Sequence, residues 1–365
     1  MSNCLENPVM PCAMAGACAI LSGFSGLSII IHGSSGCYYY PRSILKKPMF
    51  STLLLESEVI FGTVNRLHDT IIELERGGKP VAVINTCIPA ITGEDLSKAF
   101  NDTNAIFVDA PGFIGNAEKG VEAAYQALNI KTTEREGVNI DGICGLDLFA
   151  RGNLLETKRI LQEANIPIAL SLASDTYENL QRGAARVTVT ANPSWSSGIG
   201  ENLGSFLFSD LKETISKLES KFAKSNFDTI YEEIETVDSQ LFYYADKFLR
   251  KYQPPTTVIV SQKSYCNFAS WMLTRYFGAD IAAVIPREND CDSTKINEII
   301  RDSEPDLLLA SSFEASQFDV AFYGITHPDR SRVTIASRPI TGIEGALNFM
   351  ENIQNVLIDF WKRKE

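Results

Sequence analysis

The sequence predicts an α/β protein of three Rossmann-like parallel-sheet units around a central cleft. Short β-branched runs alternate with longer stretches of helical periodicity along all 365 residues, and the runs are apolar throughout, as strands covered on both faces require. The third observation is repetition. Strand, turn bearing Gly, Ser or Asn, then helix recurs in "FVDAPGFIGNAEKGVEAAYQAL", "GICGLDLFARGNLLETKRILQEANI" and "VIVSQKSYCNFASWMLTRYFGADI". Ligands of such sheets lie beyond the carboxyl ends of the strands, hence the expected cleft.

In chain order, the runs "LSIIIHG", "KPVAVINT", "NAIFVDA", "NIDGICGLD", "IPIALSL", "ARVTVTA", "TTVIVSQ", "DIAAVIP", "PDLLLASS" and "SRVTIAS" read as buried strands. Among the helices, "EVIFGTVNRLHDTIIELERGG" places Val59, Ile60, Val64, Leu67, Ile71 and Leu74 at helical spacing, with Gly77 and Gly78 set to stop it. A last helix from Gly345 to about Lys362 puts Leu347, Met350, Val356, Leu357, Phe360 and Trp361 broadly on one side, a packing face. The blocks run 1–136, 137–250 and 251–365, the last break marked by Pro254 and Pro255 in "KYQPP".

Composition narrows the function. Apolar residues are 45% and charged residues 21% of the chain, ordinary for a soluble globular protein. The net charge of −12, from 45 acidic and 33 basic residues, disfavours a large nucleic-acid surface. Glu6 is the one charged side chain before Arg42, so the apolar opening lacks the basic region of a secretory leader. Gly and Ser break every apolar run before it could span a bilayer. A soluble, cytoplasmic protein without membrane or nucleic-acid partners is the expectation. Eight cysteines in a reducing compartment point to metal binding or burial before disulfides.

Three of those thiols sit at sharp backbone positions. Cys12 follows Pro11 and precedes a small-residue helix; Cys37 ends the turn after "IIIHG"; Cys87 ends "VAVINT". Separations of 24 and 49 intervening residues are unlike the compact pairs of zinc ribbons, and suit a cluster assembled from separated loops. The competing reading is that they are small buried hydrophobes. Other chemistries lack their signatures. No G-x-G-x-x-G follows a first strand, and neither G-x-x-x-x-G-K-[ST] nor G-x-S-x-G occurs. Only three histidines are present. His32 suits a turn-stabilising role at a strand end, His68 a helix, and His327 a loop where no proton-donor role is fixed. Asp147, Arg151 and Arg338 read as loop residues that either bind an anionic substrate or form surface pairs.

The order of small motifs is more specific than any one of them. Pro11 to Gly16 (P-C-A-x-A-G), Ile30 to Cys37 (I-x-H-G-x-x-G-C), Glu58 to Gly62 (E-V-I-F-G), Thr86 to Asp95 (T-C-I-P-A-I-T-G-E-D) and Pro111 to Gly115 (P-G-F-x-G) together resemble the nitrogenase component 1 superfamily. That superfamily includes the light-independent protochlorophyllide reductases and nickel-tetrapyrrole reductive cyclases. The likeness is dense over the first third of the chain and loose beyond it. It implies that Cys12, Cys37 and Cys87 are the three ligands one subunit offers to an interfacial iron-sulfur cluster, 4Fe-4S or P-cluster-like, with Gly33 and Gly36 in the cofactor-binding turn. It implies too an ATP-hydrolysing iron protein as electron donor. Three thiolates cannot complete a cubane, so a second chain, in a homodimer, or a fourth ligand is required. Cys18 is the less favoured extra ligand, and Cys144 and Cys266, at strand-to-helix turns, read as structural thiols ahead of the alternative that they face the cleft.

The chain departs from the catalytic nitrogenase pattern at two places. The cysteine and histidine that hold the iron-molybdenum cofactor in that family fall near Ala191 or Asn192 and near Ala336 or Ser337 here, so no tightly held cofactor of that kind is expected. The leading reading is therefore an iron-sulfur reductase component acting on a small molecule or a tetrapyrrole. A non-catalytic scaffold or carrier for metal-cofactor assembly is the alternative, and a metal-free tetrapyrrole-binding or chelatase-like protein is a third.

Overall fold

The computed structural model describes residues 10–288 and 292–364, so the reading of Glu6 against a leader lies outside the described residues. The chain is α/β, built on parallel pairings as its apolar strand runs require. Among the described residues, one compact unit comprises the chain up to Thr133 with Cys144–Leu146 and Leu170–Ala184. A second comprises Glu134–Ile143, Asp147–Ala169 and the chain from Ala185 onward.

In the first unit a parallel sheet has the order Phe50–Ser51, Ser28–His32, Val81–Asn85, Ile106–Asp109. Its two central strands are buried at every position, and Ile30, Val81 and Val83 pack on Leu67 and Ile71 of the helix Val64–Glu75. The nine-residue helix Ala13–Leu21 is buried on every side. Its small residues explain how: a Cβ on Gly16 would lie 1.9 Å from the Ala117 carbonyl oxygen, and one on Gly120 would lie 1.6 Å from that of Ala13. Glycine at both places lets this helix and Ala117–Leu128 touch backbone to backbone.

Two more four-stranded sheets follow in the chain. Their orders are Glu201–Ser205, Val187–Thr190, Val138–Asp141, Ile168–Ser171 and Asp280–Pro286, Thr256–Ser261, Leu307–Ala310, Ala321–Gly324. The terminal helix Gly342–Lys364 buries Met350, Leu357 and Phe360, with Leu347, Val356 and Trp361 packed half-buried against the same core.

Four expectations are corrected. "SRVTIAS" is not a strand: Val333 and Ile335 are 89% and 93% exposed, and the fourth place in that sheet goes to "AFYG", in which Ala321, Tyr323 and Gly324 are buried. The stretch "EVIFGTVNRLHDTIIELERGG" is two helices, Glu56–Phe61 and Val64–Glu75, because Gly62 adopts φ +113°, which a helix cannot contain. The runs "NAIFVDA" and "DIAAVIP" are edge strands, so exposed positions alternate with covered ones along Ile106–Asp109 and Asp280–Val284. Arg151 lies in the helix Ala150–Glu163, not in a loop.

Candidate metal-thiolate site

The three cysteines singled out from the sequence all stand where a helix begins, in the first unit. Cys12 is the N-cap of Ala13–Leu21. Cys87 is the first residue of Cys87–Thr92, after the buried strand Val81–Asn85. Cys37 was expected to end a turn; instead Ser34 is the N-cap, and Cys37 already lies in the first turn of Ser35–Leu45. None of the three N-caps makes a side-chain capping bond to its helix. Helix starts favour anionic ligands, because their first amides lack partners within the helix.

The backbone then brings two sulfurs together. The Ala13 amide donates to the Gly115 carbonyl (3.1 Å), and Cys12 bridges to Asn116, which pins Cys12 against the loop 111–116. On the other side the Gly112 amide donates to Cys87 Sγ at 3.0 Å. A Cβ on Gly112 would stand 3.2 Å from both Cys12 Sγ and Cys87 Sγ, so the two sulfurs are at most twice that distance apart. Only a residue without a side chain leaves this cradle open. The Ser34 hydroxyl donates to Cys37 Sγ at 3.8 Å. Burial pushes the Cys18 thiol far up. Cys12, Cys37 and Cys87 are partly exposed, whereas Cys18, Cys144 and Cys266 are buried.

The donor set suits an iron-sulfur cluster in kind: soft sulfur ligands at helix starts, the Gly112 amide N–H aimed at one of them, and a side-chain-free wall. Among the described residues, however, no three Cys, His, Asp or Glu side chains converge tightly enough to hold a single metal ion. Cys18 is an interior residue whose thiol donates to Met14 Sδ at 3.7 Å. Cys266 points its thiol at the carbonyls of Ser261 and Ile285, and burial raises it to about 12.

The two glycines of the turn differ. At Gly33 a Cβ would lie 2.1 Å from Thr86 Oγ1, whose hydroxyl donates to the His32 carbonyl at 2.8 Å. That glycine lets the Cys37 and Cys87 segments touch. A Cβ on Gly36 would meet nothing nearer than 3.9 Å. His32 is fully buried, each ring nitrogen bonded to a threonine: Nδ1 to Thr52 Oγ1 (3.1 Å) and Nε2 to Thr63 Oγ1 (3.0 Å). His68 is half-exposed beside Asp69.

Around the thiols the surface is apolar. Ile60 is 73% and Phe61 87% exposed, on a helix that packs beside Cys87–Thr92; Tyr39, Leu55, Ile91 and Ile114 are exposed too. Sequence reasoning missed this rim, and missed Gly112. The signal for the rim was present: "VIFG" sets Ile60 and Phe61 before a glycine, where a helix ends before both can turn inward.

In the second unit the corresponding strand ends are closed. Asn192 is fully buried, donates to Asp147 Oδ2 (2.8 Å) and accepts from the Ser264 hydroxyl (2.5 Å) and the Ser194 amide (3.1 Å). Tyr265 donates to the same Asp147 oxygen at 2.6 Å and accepts from Asn153 at 2.8 Å. Ala336 lies in an exposed loop with Ser337 and Arg338. These residues offer neither thiolate nor imidazole, so the ligand pair of an iron-molybdenum cofactor does not fit here.

The parallel sheets and the thiols at helix starts define an α/β protein with a candidate metal-thiolate site. A family profile described as "Nitrogenase component 1 type Oxidoreductase" matches residues 12–207, and the chain belongs to that family. The nitrogenase molybdenum-iron protein beta chain of Azospirillum brasilense is 32% identical over 211 residues, 50% of this chain and 40% of the relative. The nitrogenase iron-molybdenum cofactor biosynthesis protein NifE of Rippkaea orientalis is 32% identical over 134 residues, covering 32% of this chain and 28% of the relative. A solved structure titled "Nitrogenase Cp1 at pH 6.5" superposes with a TM-score of 0.78 at 17% identity, over 98% of this chain and 94% of that one. The sequence matches thus span about two fifths or less of these two relatives.

Proposed function

We propose that the protein is a nitrogenase-like reductase component whose Cys12, Cys37 and Cys87 hold an iron-sulfur cluster at the interface of a homodimer. The observation that carries the reading is the Gly112 cradle, with the sulfurs of Cys12 and Cys87 on its two sides and an amide donated to one of them. The exposed apolar rim supports a partner chain over the site, since patches of this kind mark interaction surfaces. A second copy would double the thiolate count, which three cysteines per chain need. When bound, the cluster would supply one-electron transfer. Its electrons would come from an ATP-hydrolysing iron protein, and the substrate would be a small molecule or a tetrapyrrole. We take the three sheets with their helices as three Rossmann-like units, 1–136, 137–250 and 251–365, of a cytoplasmic protein.

Anaerobic purification with iron and sulfide analysis, EPR and sedimentation tests this. The expected result is an iron-loaded dimer whose EPR signal is lost on Cys87→Ser. Protein that stays iron-free after anaerobic reconstitution would sink the reading. The likeness to a cofactor biosynthesis protein favours one second reading, a scaffold or carrier that holds a metal cofactor and passes it on. ATP-dependent turnover with an iron protein supports the reductase; stoichiometric cluster transfer without turnover supports the carrier.

A further inference from the structure

Five residues of the first unit form one continuous hydrogen-bond chain whose direction is fixed by chemistry. At one end, Glu94 accepts from the Thr63 amide through both oxygens (2.7 and 2.9 Å), from the Val64 amide (3.2 Å) and from the Thr63 hydroxyl (2.5 Å). Burial alone would raise this carboxyl, but the hydrogen bonds from Thr63 and Val64 outweigh it and hold the group below its ordinary range. It is therefore a carboxylate, and Thr63 spends its single hydroxyl proton on it. The Thr63 oxygen can then only accept from His32, so Nε2 carries the ring proton. Burial depresses His32 to about 4, which leaves Nδ1 a bare acceptor for the Thr52 hydroxyl. The Thr52 oxygen in turn accepts from the Gly33 amide at 3.1 Å.

The chain thus runs, donor to acceptor, from the Gly33 amide through Thr52, His32 and Thr63 to Glu94. Its two ends lie on the two thiol-bearing segments. Gly33 opens the turn into the helix that carries Cys37, and Glu94 follows the short helix that Cys87 begins. Of the middle links, His32 ends the strand just before Gly33, while Thr52 and Thr63 bound the segment 52–63, which also bears the exposed apolar residues Leu55, Ile60 and Phe61. Cys12 is held otherwise, through Ala13, Gly115 and Asn116.

We propose that the chain from Gly33 through Thr52, His32 and Thr63 to Glu94 is a positioning device. It fixes the Cys37 turn against the Cys87 segment, in one hydrogen-bond polarity, before any metal arrives. The purpose of that placement rests on the cluster reading; the clamp itself stands on geometry and is tested without metal.

The test uses the full-length, reduced, metal-free protein. In ¹⁵N-histidine spectra at pH 7, His32 is expected as the neutral tautomer protonated at Nε2; a proton at Nδ1 overturns the proposal, and this measurement needs no variant. In Thr63→Val, amide exchange at Gly33 and alkylation of Cys37 are expected to speed up roughly fivefold or more, the factor set by losing one net hydrogen bond. Thr63→Ser is expected to restore both rates, and Cys12 to alkylate at its wild-type rate in every variant. Unchanged Gly33 and Cys37 rates in Thr63→Val, or an equal rise at Cys12, would overturn the clamp. Thr52→Val, which removes the other hydroxyl, repeats the comparison if Thr63→Val folds poorly. The two readings fail separately. Wild-type protein that binds no iron but shows the Nε2 proton and the Cys37 effect loses the cluster and keeps the clamp. Protein that binds iron and lacks both signatures keeps the cluster and loses the clamp.

Discussion

The thiol site of the first unit and the polar networks of the second are built in opposite ways. In the second, Asp147, Tyr265, Asn153 and Asn192 satisfy one another; Asp141 accepts from Gly142, Ser196 and Ser197; and Arg159 joins Glu156, Glu163 and Glu233. In the first, partly exposed sulfurs sit at helix starts with no side-chain cap, around a glycine that leaves space between them. Closed networks hold a fold together, whereas partly exposed thiols beside an apolar rim suit completion by a further group or chain. Mutation should therefore separate the units: changes in the second cost stability, and changes in the first cost iron.

The largest effect is expected at Arg287 and Glu314, whose side chains are each 1% exposed and 2.6 Å apart. Glu314→Gln removes the carboxylate paired with the buried Arg287 guanidinium and should destabilise the second unit by about 3–5 kcal/mol. Iron per folded chain should not change; chemical denaturation and iron analysis on one preparation check both. Next comes Tyr265→Phe, which takes a donor from Asp147 and an acceptor from Asn153. It should cost about 1–3 kcal/mol, again with iron content intact. If either variant empties the thiol site without unfolding, the contrast between the units fails.

Gly112→Ala tests the contrast from the other side. Its methyl would press on Cys12 and Cys87 from 3.2 Å, and a strained neighbour of a metal ligand typically lowers affinity by ~10-fold or more. Iron per chain should fall, with the melting curve close to wild type. A variant that melts early but loads fully would make Gly112 a packing residue.

How much of this was legible in the sequence follows the same division. Strands at sheet centres were readable because burial on both faces writes an apolar run, as in "SIIIH" and "VAVIN". "VTIAS" mimicked that pattern, yet Val333 and Ile335 are solvent-facing, and "AFYG" took the strand with no β-branched residue at all. Whether a local run is buried depends on what the rest of the chain lays over it, which no window of sequence contains. The cysteines stood out by residue type and neighbouring glycines. The Gly112 cradle did not, because its meaning lies in two sulfurs from segments far apart in sequence. The Glu94–Thr63–His32 link was hidden for the same reason: 31 positions separate Thr63 from each of the other two.

The smallest effect, and the one that reaches both units, is acid sensitivity. His32 in the first unit and His327 in the second are each lowered to about 4, in both cases chiefly by burial, with Arg330 and Arg287 adding to the shift at His327. The unfolded chain protonates these rings near 6.5 while the folded chain does not, so unfolding takes up protons between those values. Stability contributed by the neutral rings is present above about 6.5 and is lost as pH falls toward 4. Asp141 and Asp147, raised by burial, act with the opposite sign: the folded chain keeps protons that the unfolded chain releases, so their contribution fades as pH rises through their folded values. Denaturation midpoints measured from pH 7 to 4 should fall across the histidine window, and His327→Gln should make that fall shallower by one proton's worth. A wild-type profile that rises as pH falls would show that the aspartates, not the rings, set the acid response. A fall unchanged in His327→Gln would assign the acid sensitivity to the His32 side alone, and tie it to the unit that carries the thiols.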